Sequence, residues 1–465
     1  MSKRLICCGN DLLNERFTRR FRIAFPWLVL SLVLLLQAIT PAVAISQTPP
    51  GPSSLTITGG TTTSPPPTTT GNIYYVATNG SDSNSCAQAR NISTPKRNIG
   101  GAYGGISCLS ASDRLYIRGG TYAESVRTPT TTFRSGSAGA PTWIGRYQNE
   151  TVVIAPPNNA GGALGMSTAT SWITFDGLIL DGVKQTDATN VENKGGYGLC
   201  CTSKSSLPTN IVFQNGQIKN FMGHGAQIFS TDNTIKNSII NNNALCTLCY
   251  PQYHGLYVTG ENNLFENNQV YDNGGHGYHI YHMTGSTRNT NNIVRNNIVY
   301  NNGRLKSSAG AGGAGILLAS GVNIRAYNNL VYRNGRGVGF GAGIAVGYSC
   351  TACLVYNNTI YDNASEGIAV GVGSVATNTV AKNNISLSNG AASIRDTGTN
   401  TVLSNNLITD PNFVNAAARD FRLQSGSAAI DKGANLSSIG VTFDLLGNIR
   451  PQGSGFDIGA YEYRP

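Results

Sequence analysis

Charge is what this chain lacks. Asp, Glu, Lys and Arg make up 12% of its 465 residues, against roughly 25% in an ordinary soluble domain. That shortage excludes a coiled coil, a helical bundle and a charge-rich disordered protein, each of which needs charged faces or a charged, solvated chain. Histidine is rarer still: the five all lie between His224 and His282. What the chain has instead is glycine and asparagine, 56 and 50 residues, with 34 of the asparagines between Asn210 and Asn406. Both types tolerate left-handed backbone and disfavour helix interiors, which predicts short strands joined by tight turns. Of the formal net charge of +10, the first 44 residues supply four, so the remainder carries a surplus of six. That surplus admits an acidic polymer as partner, and nothing in the sequence calls for nucleic acid. The length suffices for a large core without a metal or a second chain, and a monomer is expected.

The amino terminus reads as an export signal. Residues 16–22 are basic, residues 27–36 are apolar, and Ala42-Val43-Ala44 has the small-x-small form of a cleavage site. Thr18-Arg19-Arg20-Phe21 resembles a twin-arginine signal. The apolar run falls short of the roughly 20 residues of a spanning helix, so no stable membrane span is expected once 1–44 is removed, a retained anchor being the alternative. Residues 45–71, rich in Pro, Thr, Ser and Gly, form a tether that cannot build a core. Beyond the signal come eight cysteines, an even number that suits an oxidising, secreted or cell-surface setting. Cys86 with Cys108 is the simplest pairing. Cys246-Thr-Leu-Cys249 and Cys350-Thr-Ala-Cys353 are read as loop disulfides, with zinc or redox chemistry as alternatives.

An internal repeat decides the fold class. Its unit is a Gly, a short apolar alternation, a turn, then a pattern such as Asn292-Ile293-Val294-Arg295-Asn296-Asn297-Ile298-Val299-Tyr300-Asn301. The second Asn of each pair recurs at Asn268, Asn297, Asn329, Asn358, Asn384 and Asn406, 22 to 32 residues apart. Three short strands per period give one coil of a parallel β-solenoid, each strand pairing with its counterpart one coil away. Asparagines stacked at one corner can bond along the axis as a ladder and also accept a left-handed turn. An inward ladder residue such as Asn384, although it heads the sequon Asn384-Ile385-Ser386, could not carry a glycan.

The repeat resembles the right-handed parallel β-helix of secreted, mostly bacterial carbohydrate-active proteins, the pectate lyase-like superfamily. The opening Tyr74-Tyr75-Val76-Ala77-Thr78-Asn79-Gly80-Ser81-Asp82 and the later Asp113-Arg114-Leu115-Tyr116-Ile117-Arg118-Gly119-Gly120-Thr121-Tyr122 are similar to its amino-terminal start. Asp410-Pro411-Asn412-Phe413 and Asp457-Ile458-Gly459-Ala460-Tyr461-Glu462-Tyr463 are similar to its carboxy-terminal cap. The resemblance implies an all-β chain: a single-stranded right-handed β-helix with an amino-terminal cap over 72–410 and a β-rich cap over 411–465. The scaffold hosts lyases, hydrolases, epimerases and non-catalytic proteins, so function has to come from the site.

Aligning His224-Gly225-Ala226-Gln227-Ile228, His254-Gly255-Leu256-Tyr257-Val258 and His276-Gly277-Tyr278-His279-Ile280 puts His224, His254 and His276 at one corner of three successive coils. Alternation then turns Leu256 and Val258 inward and Gln227, Tyr257 and His279 outward, with Phe229, Thr259 and Tyr281 as a second outward row. Tyr250 and Tyr253 flank the strip. Further on, the same position holds Leu317, Ala345 and Ala369, so the polar strip is local. Imidazole, phenol and amide groups on an open wall suit a sugar chain.

The expected function is binding of a polysaccharide, uronate-containing in the preferred reading, with lyase- or epimerase-type acid/base catalysis by His254, His276, His279 and Tyr257. His224, Gln227, Tyr281, His282, Glu261 and Asp232 are the expected substrate contacts. No Lys or Arg occurs between Lys236 and Arg288, so the cation that an enolate-like intermediate calls for would be one of those two or a bound Ca²⁺. No resident metal ligand set is assigned. Three alternatives stand beside this reading. The histidine column could be a structural ladder bonded to neighbouring carbonyls; Asp232 and Glu261, in equivalent turns, could be the acids of a glycoside hydrolase; or the solenoid could be a non-catalytic surface or matrix rod.

Overall fold

The computed structural model describes residues 71–158, 160–183, 196–201, 208–244, 253–282, 289–304, 313–337 and 341–465. The expected export signal, 1–44, and all of the expected tether but Gly71 lie outside these residues, as do Cys246, Cys249, Tyr250 and Arg288. Among the described residues no helix is long and apolar enough to cross a membrane.

Each coil is three short strands, and every strand pairs in parallel with its counterpart one coil on. The first sheet has twelve strands, from Ile73–Val76 to Val402–Ser404; the second has ten, from Gly120–Tyr122 to Ile385–Leu387; the third has ten, from Val126–Arg127 to Ile394–Asp396. The period-2 alternation of the sequence sets which side chains go in. Along the first sheet Leu115, Ile144, Phe175, Phe213, Ile235, Phe265 and Val294 stand in register and are all buried. Each such side chain contributes about 1.5–3 kcal/mol by leaving water, and none can do so without the coil above and below.

The expected asparagine ladder joins the first and second sheets. Asn297 Nδ2 donates to Asn329 Oδ1 at 3.0 Å, Asn329 to Asn358 at 3.0 Å, Asn358 to Asn384 at 3.0 Å and Asn384 to Asn406 at 2.9 Å, while Asn268 enters through its backbone N–H. Asn384 is fully buried, as its inward position requires. Two further ladders run at the other corners, through Asn233, Asn263 and Asn292 and through Asn243, Asn273, Asn302, Asn334, Asn363 and Asn389. The left-handed turn belongs to a different residue from the one expected. It is the first Asn of each pair, for example Asn267 (φ 55°) and Asn296 (φ 55°), that takes it and points outward.

After the last coil the chain turns back along the corner between the first and second sheets. Phe413–Asn415 pairs antiparallel with Asp420–Leu423, and Arg450 and Glu462 form an ion pair whose side chains have no exposure. Asp444 accepts from the backbone N–H groups of Leu446, Asn448 and Glu462, and Asp457 from those of Asp431 and Tyr463. These carboxylates are occupied as turn and cap acceptors. Disulfides join Cys86 to Cys108 and Cys350 to Cys353.

Candidate functional site

The third sheet brings the histidines together. Gln227, Tyr257 and His279 stand in register on successive coils, followed by Leu317, Ala345 and Ala369. The glycine after each corner histidine is obligatory: a Cβ on Gly225, Gly255 or Gly277 would sit 2.6–2.7 Å from the carbonyl oxygen of the equivalent glycine one coil on. This tight stacking presses the imidazoles of His224, His254 and His276 against the next turn, where they are 4%, 2% and 6% exposed.

The column is a ladder, but one bonded to N–H groups and not to carbonyls. His254 N–H donates to His224 Nδ1 (3.0 Å), His276 N–H to His254 Nδ1 (3.2 Å) and Ala314 N–H to His276 Nδ1 (2.9 Å). A backbone N–H only donates, so each Nδ1 must present its lone pair and each neutral ring must carry its proton on Nε2. His254 Nε2 lies 2.6 Å from His279 Nδ1. His254 is the donor there, and His279 too keeps its proton on Nε2. A carbonyl at Nδ1, one form of the ladder alternative raised by the sequence, would have imposed the opposite tautomer.

Burial also fixes charge. It lowers His224 to about 3 and His276 to about 4, the latter against the opposing pull of the Ala314 bond. Burial first, and then the neighbouring imidazoles, take His254 and His279 well below the usual histidine range. All four are neutral at neutral pH. Burial, helped by Tyr281, pushes Tyr257 up to about 12, so its phenol stays protonated. The rings pack closely: Tyr257 stacks on His224 (5.0 Å), His279 meets His254 edge-on (4.2 Å), and Tyr281 lies 5.2 Å from His279.

The strip is less open than alternation alone predicts. Tyr253, Tyr257, His279, Tyr281 and His282 are half-buried, whereas Gln227 is buried and its Oε1 has no hydrogen-bond partner among the described residues. Leu317, Ala345 and Ala369 are buried in a small apolar cluster against which Tyr281 packs, and this cluster ends the polar strip. Asp232 and Glu261 lie at the turn leading into the first sheet. Asp232 is exposed and accepts from the Asn262 amide at 3.1 Å, and its register partner is Asn262, one residue beyond Glu261. Lys236 belongs to the first sheet, on a different wall from the histidines. Tyr197, which the sequence reading passed over, stacks on His224 at 5.5 Å. Aligning Tyr197-Gly198-Leu199 with His224-Gly225-Ala226 would have found it.

His254, His276 and His279 each offer a nitrogen within 4.8 Å of the others, the spacing of a metal site. Their protonation does not fit one. The lone pairs of His254 and His276 already accept backbone N–H bonds, and ligation through Nε2 would demand an imidazolate. Ca²⁺ fits no better, since it takes six to eight oxygen ligands. Among the described residues this histidine trio is the one group of three potential ligands, and it has no carboxylate.

The family model described as the right-handed beta helix region matches residues 176–351 and 246–408, together half of the chain. The chain belongs to the right-handed β-helix family. This β-helix protein is similar in structure to pectate lyase Pel9A (TM-score 0.60, 20% identity, covering 84% of this chain and 96% of that one). It is also similar to XylC in complex with xylose (0.52, 9%, 84% and 99%) and to an alginate lyase from Paenibacillus sp. strain FPU-7 (0.47, 16%, 66% and 95%). At these identities the likeness is one of fold. No curated protein matches this β-helix chain.

Proposed function

We propose that this is an exported polysaccharide-active protein that binds a uronate-containing glycan along the third sheet and performs lyase- or epimerase-type proton transfer there. The observation that carries the reading is the 2.6 Å bond between His254 Nε2 and His279 Nδ1. Three imidazoles have their lone pairs committed to backbone N–H groups. The lone pair of His279 alone faces a side chain from which a half-buried ring can turn away. Freed, it is the proton acceptor for the hydrogen beside the uronate carboxylate. His254 and His276 then supply neutral Nε2–H donors to the negative charge that develops on that carboxylate, with no cation required.

Tyr257 is the proton donor. In a lyase its proton goes to the departing glycosidic oxygen as that C–O bond breaks; in an epimerase it goes to the opposite face of the carbanion. The proton held by His279 afterwards restores the phenol through solvent. His224, Gln227, Tyr281 and His282 serve as substrate contacts, and the partnerless Gln227 Oε1 suits a sugar hydroxyl, because leaving such an acceptor dry costs about 1–3 kcal/mol.

Incubation with pectate, alginate and glycosaminoglycans in D₂O tests this. Unsaturated uronate in the near ultraviolet identifies a lyase, and solvent deuterium entering the sugar without chain cleavage identifies an epimerase. His279→Ala is expected to abolish either signal. Reducing ends without unsaturation would instead select the hydrolase chemistry of Asp232 and Glu261. No turnover of any glycan would select the non-catalytic rod.

A further inference from the structure

The outward asparagine row bonds the carboxy-terminal cap and then runs on past it. Nδ2 of Asn405 donates to the carbonyl of Lys432 (3.0 Å), Asn383 to Ala434 (2.8 Å), Asn357 to Asp457 (3.0 Å), Asn328 to Phe443 (2.5 Å) and Asn296 to Asp444 (3.1 Å). There the cap ends. The next two coils present Asn267 and Asn237 in the same left-handed conformation (φ 55° and 50°), and their amides make no hydrogen bond among the described residues. Both line a cavity of about 480 Å³ between the first sheet and the cap.

The rest of that cavity is built in a way the cap alone does not explain. On its floor Arg295 bonds Glu266 through Nε and Nη2 (2.9 and 2.6 Å) and the Tyr327 hydroxyl through Nη1 (3.0 Å). Its wall is Phe443 and Leu446, which remain 50% and 48% exposed although Asn328 and Asn296 tether the main chain beside them. The cavity thus offers free amides one coil apart, a charge-compensated pair and an apolar face.

We infer that this groove is a second saccharide-binding site, on a different wall from the histidines, for one pyranose unit of a neutral glycan. Two amides about 4.8 Å apart span the width of one sugar ring and can each bond a hydroxyl as donor and acceptor. The Glu266–Arg295 pair carries no net charge and can bond adjacent hydroxyls, and Phe443 with Leu446 packs on the C–H face of the ring. The volume falls within the roughly 300–1,000 Å³ of small-ligand sites. An extended peptide would find only about one and a half residues' worth of partners over the same length. The class of ligand rests on the polysaccharide reading; the groove itself is independent of the histidine strip.

The test is calorimetric binding of neutral xylo-, manno- and gluco-oligosaccharides and of uronate oligomers to the whole protein. One of the neutral series is expected to bind, and Asn267→Ala and Phe443→Ala are each expected to weaken it about tenfold, the loss of one hydrogen bond or one packed face. His279→Ala should leave that binding unchanged. Should Phe443→Ala fail to fold, as judged by circular dichroism, Leu446→Ser takes its place. Retained binding in the groove variants overturns the proposal, as does a protein that turns over uronate but binds no neutral series. A change confined to oligomeric state by light scattering would make the groove a contact between copies and overturn it too. Neutral-sugar binding that Asn267→Ala weakens, with no uronate turnover, would uphold the groove while the histidine mechanism falls.

Discussion

Neutral imidazoles buried in a column make stability depend on acid in a calculable way. The groups facing His224, His254 and His276 are one another, His279 and the phenols of Tyr197, Tyr253 and Tyr257, with no carboxylate among these ring contacts. In the unfolded chain each histidine takes up a proton near pH 6.5. In the folded protein His276 does so only near 4, His224 near 3, and His254 and His279 well below 6.5. Between those limits the unfolded state holds more protons, so stability rises with pH. The stabilisation is complete above about pH 6.5 and is lost as pH falls toward the folded values. At pH 5.5 each neutral ring has given up about 1.4 kcal/mol relative to pH 7.5, or about 5 kcal/mol for the four. That is a large share of the 5–15 kcal/mol typical of a domain. Thermal unfolding at the two pH values should differ by roughly 7 °C for a chain of this size. Calorimetry in buffers of different ionisation heat should detect roughly three to four protons taken up per molecule by these rings on unfolding at pH 5.5. Imidazole NMR signals that titrate with midpoints between 6 and 7, or a melting temperature indifferent to pH over this range, would refute both the burial and the tautomer assignment.

Three further outcomes follow from the same bonds. Asn297→Ala removes the acceptor of the Asn268 backbone N–H and of the Tyr278 hydroxyl and the amide that bonds the Phe265 carbonyl, while Asn329 Oδ1 keeps the backbone N–H of residue 297; a loss of about 3–5 kcal/mol is expected in thermal or denaturant unfolding. Zn²⁺ should leave the melting temperature of the native protein unchanged at neutral pH, because the histidine lone pairs it would need are bonded to backbone; a saturable rise would contradict that. Tyr257→Phe keeps the ring that stacks on His224 and removes the proposed proton donor, so turnover should fall by roughly 10²–10⁴ with melting little altered.

The solenoid was legible in the sequence because its determinants repeat. Asn268, Asn297, Asn329 and Asn358 announce a corner by recurrence alone, and alternation across Leu256-Tyr257-Val258 says which residues go in. The duties of a single rung are harder to read. Nothing in an Asn-Asn pair says that its first member adopts the left-handed turn and meets the cap while the second enters the ladder, because both jobs suit the same side chain. The cap contacts of Asn296 and Asn328 join residues more than a hundred positions apart, beyond any local pattern.

The same limit applies to the histidines, and it shapes what they can do. Register alone predicted that His224, His254 and His276 would stack, and that His279 would stand beside Tyr257's strand. What register cannot supply is the direction of each ring. In a parallel coil the corner N–H of the next turn points back along the axis, and the ring nitrogen nearest the backbone meets it first. Nδ1 is thereby spent on structure and Nε2 keeps the proton, so a device that holds the coils together also fixes the tautomer of each ring. An imidazole used this way has no free lone pair for a metal or, at neutral pH, for a proton, so the proposed mechanism places the burden of base on His279, whose Nδ1 meets a side chain. In the proposed mechanism structure and chemistry are therefore divided by position on the strand: the corner histidines pin the fold and polarise the substrate, and His279, displaced from the corner by three residues, acts as base.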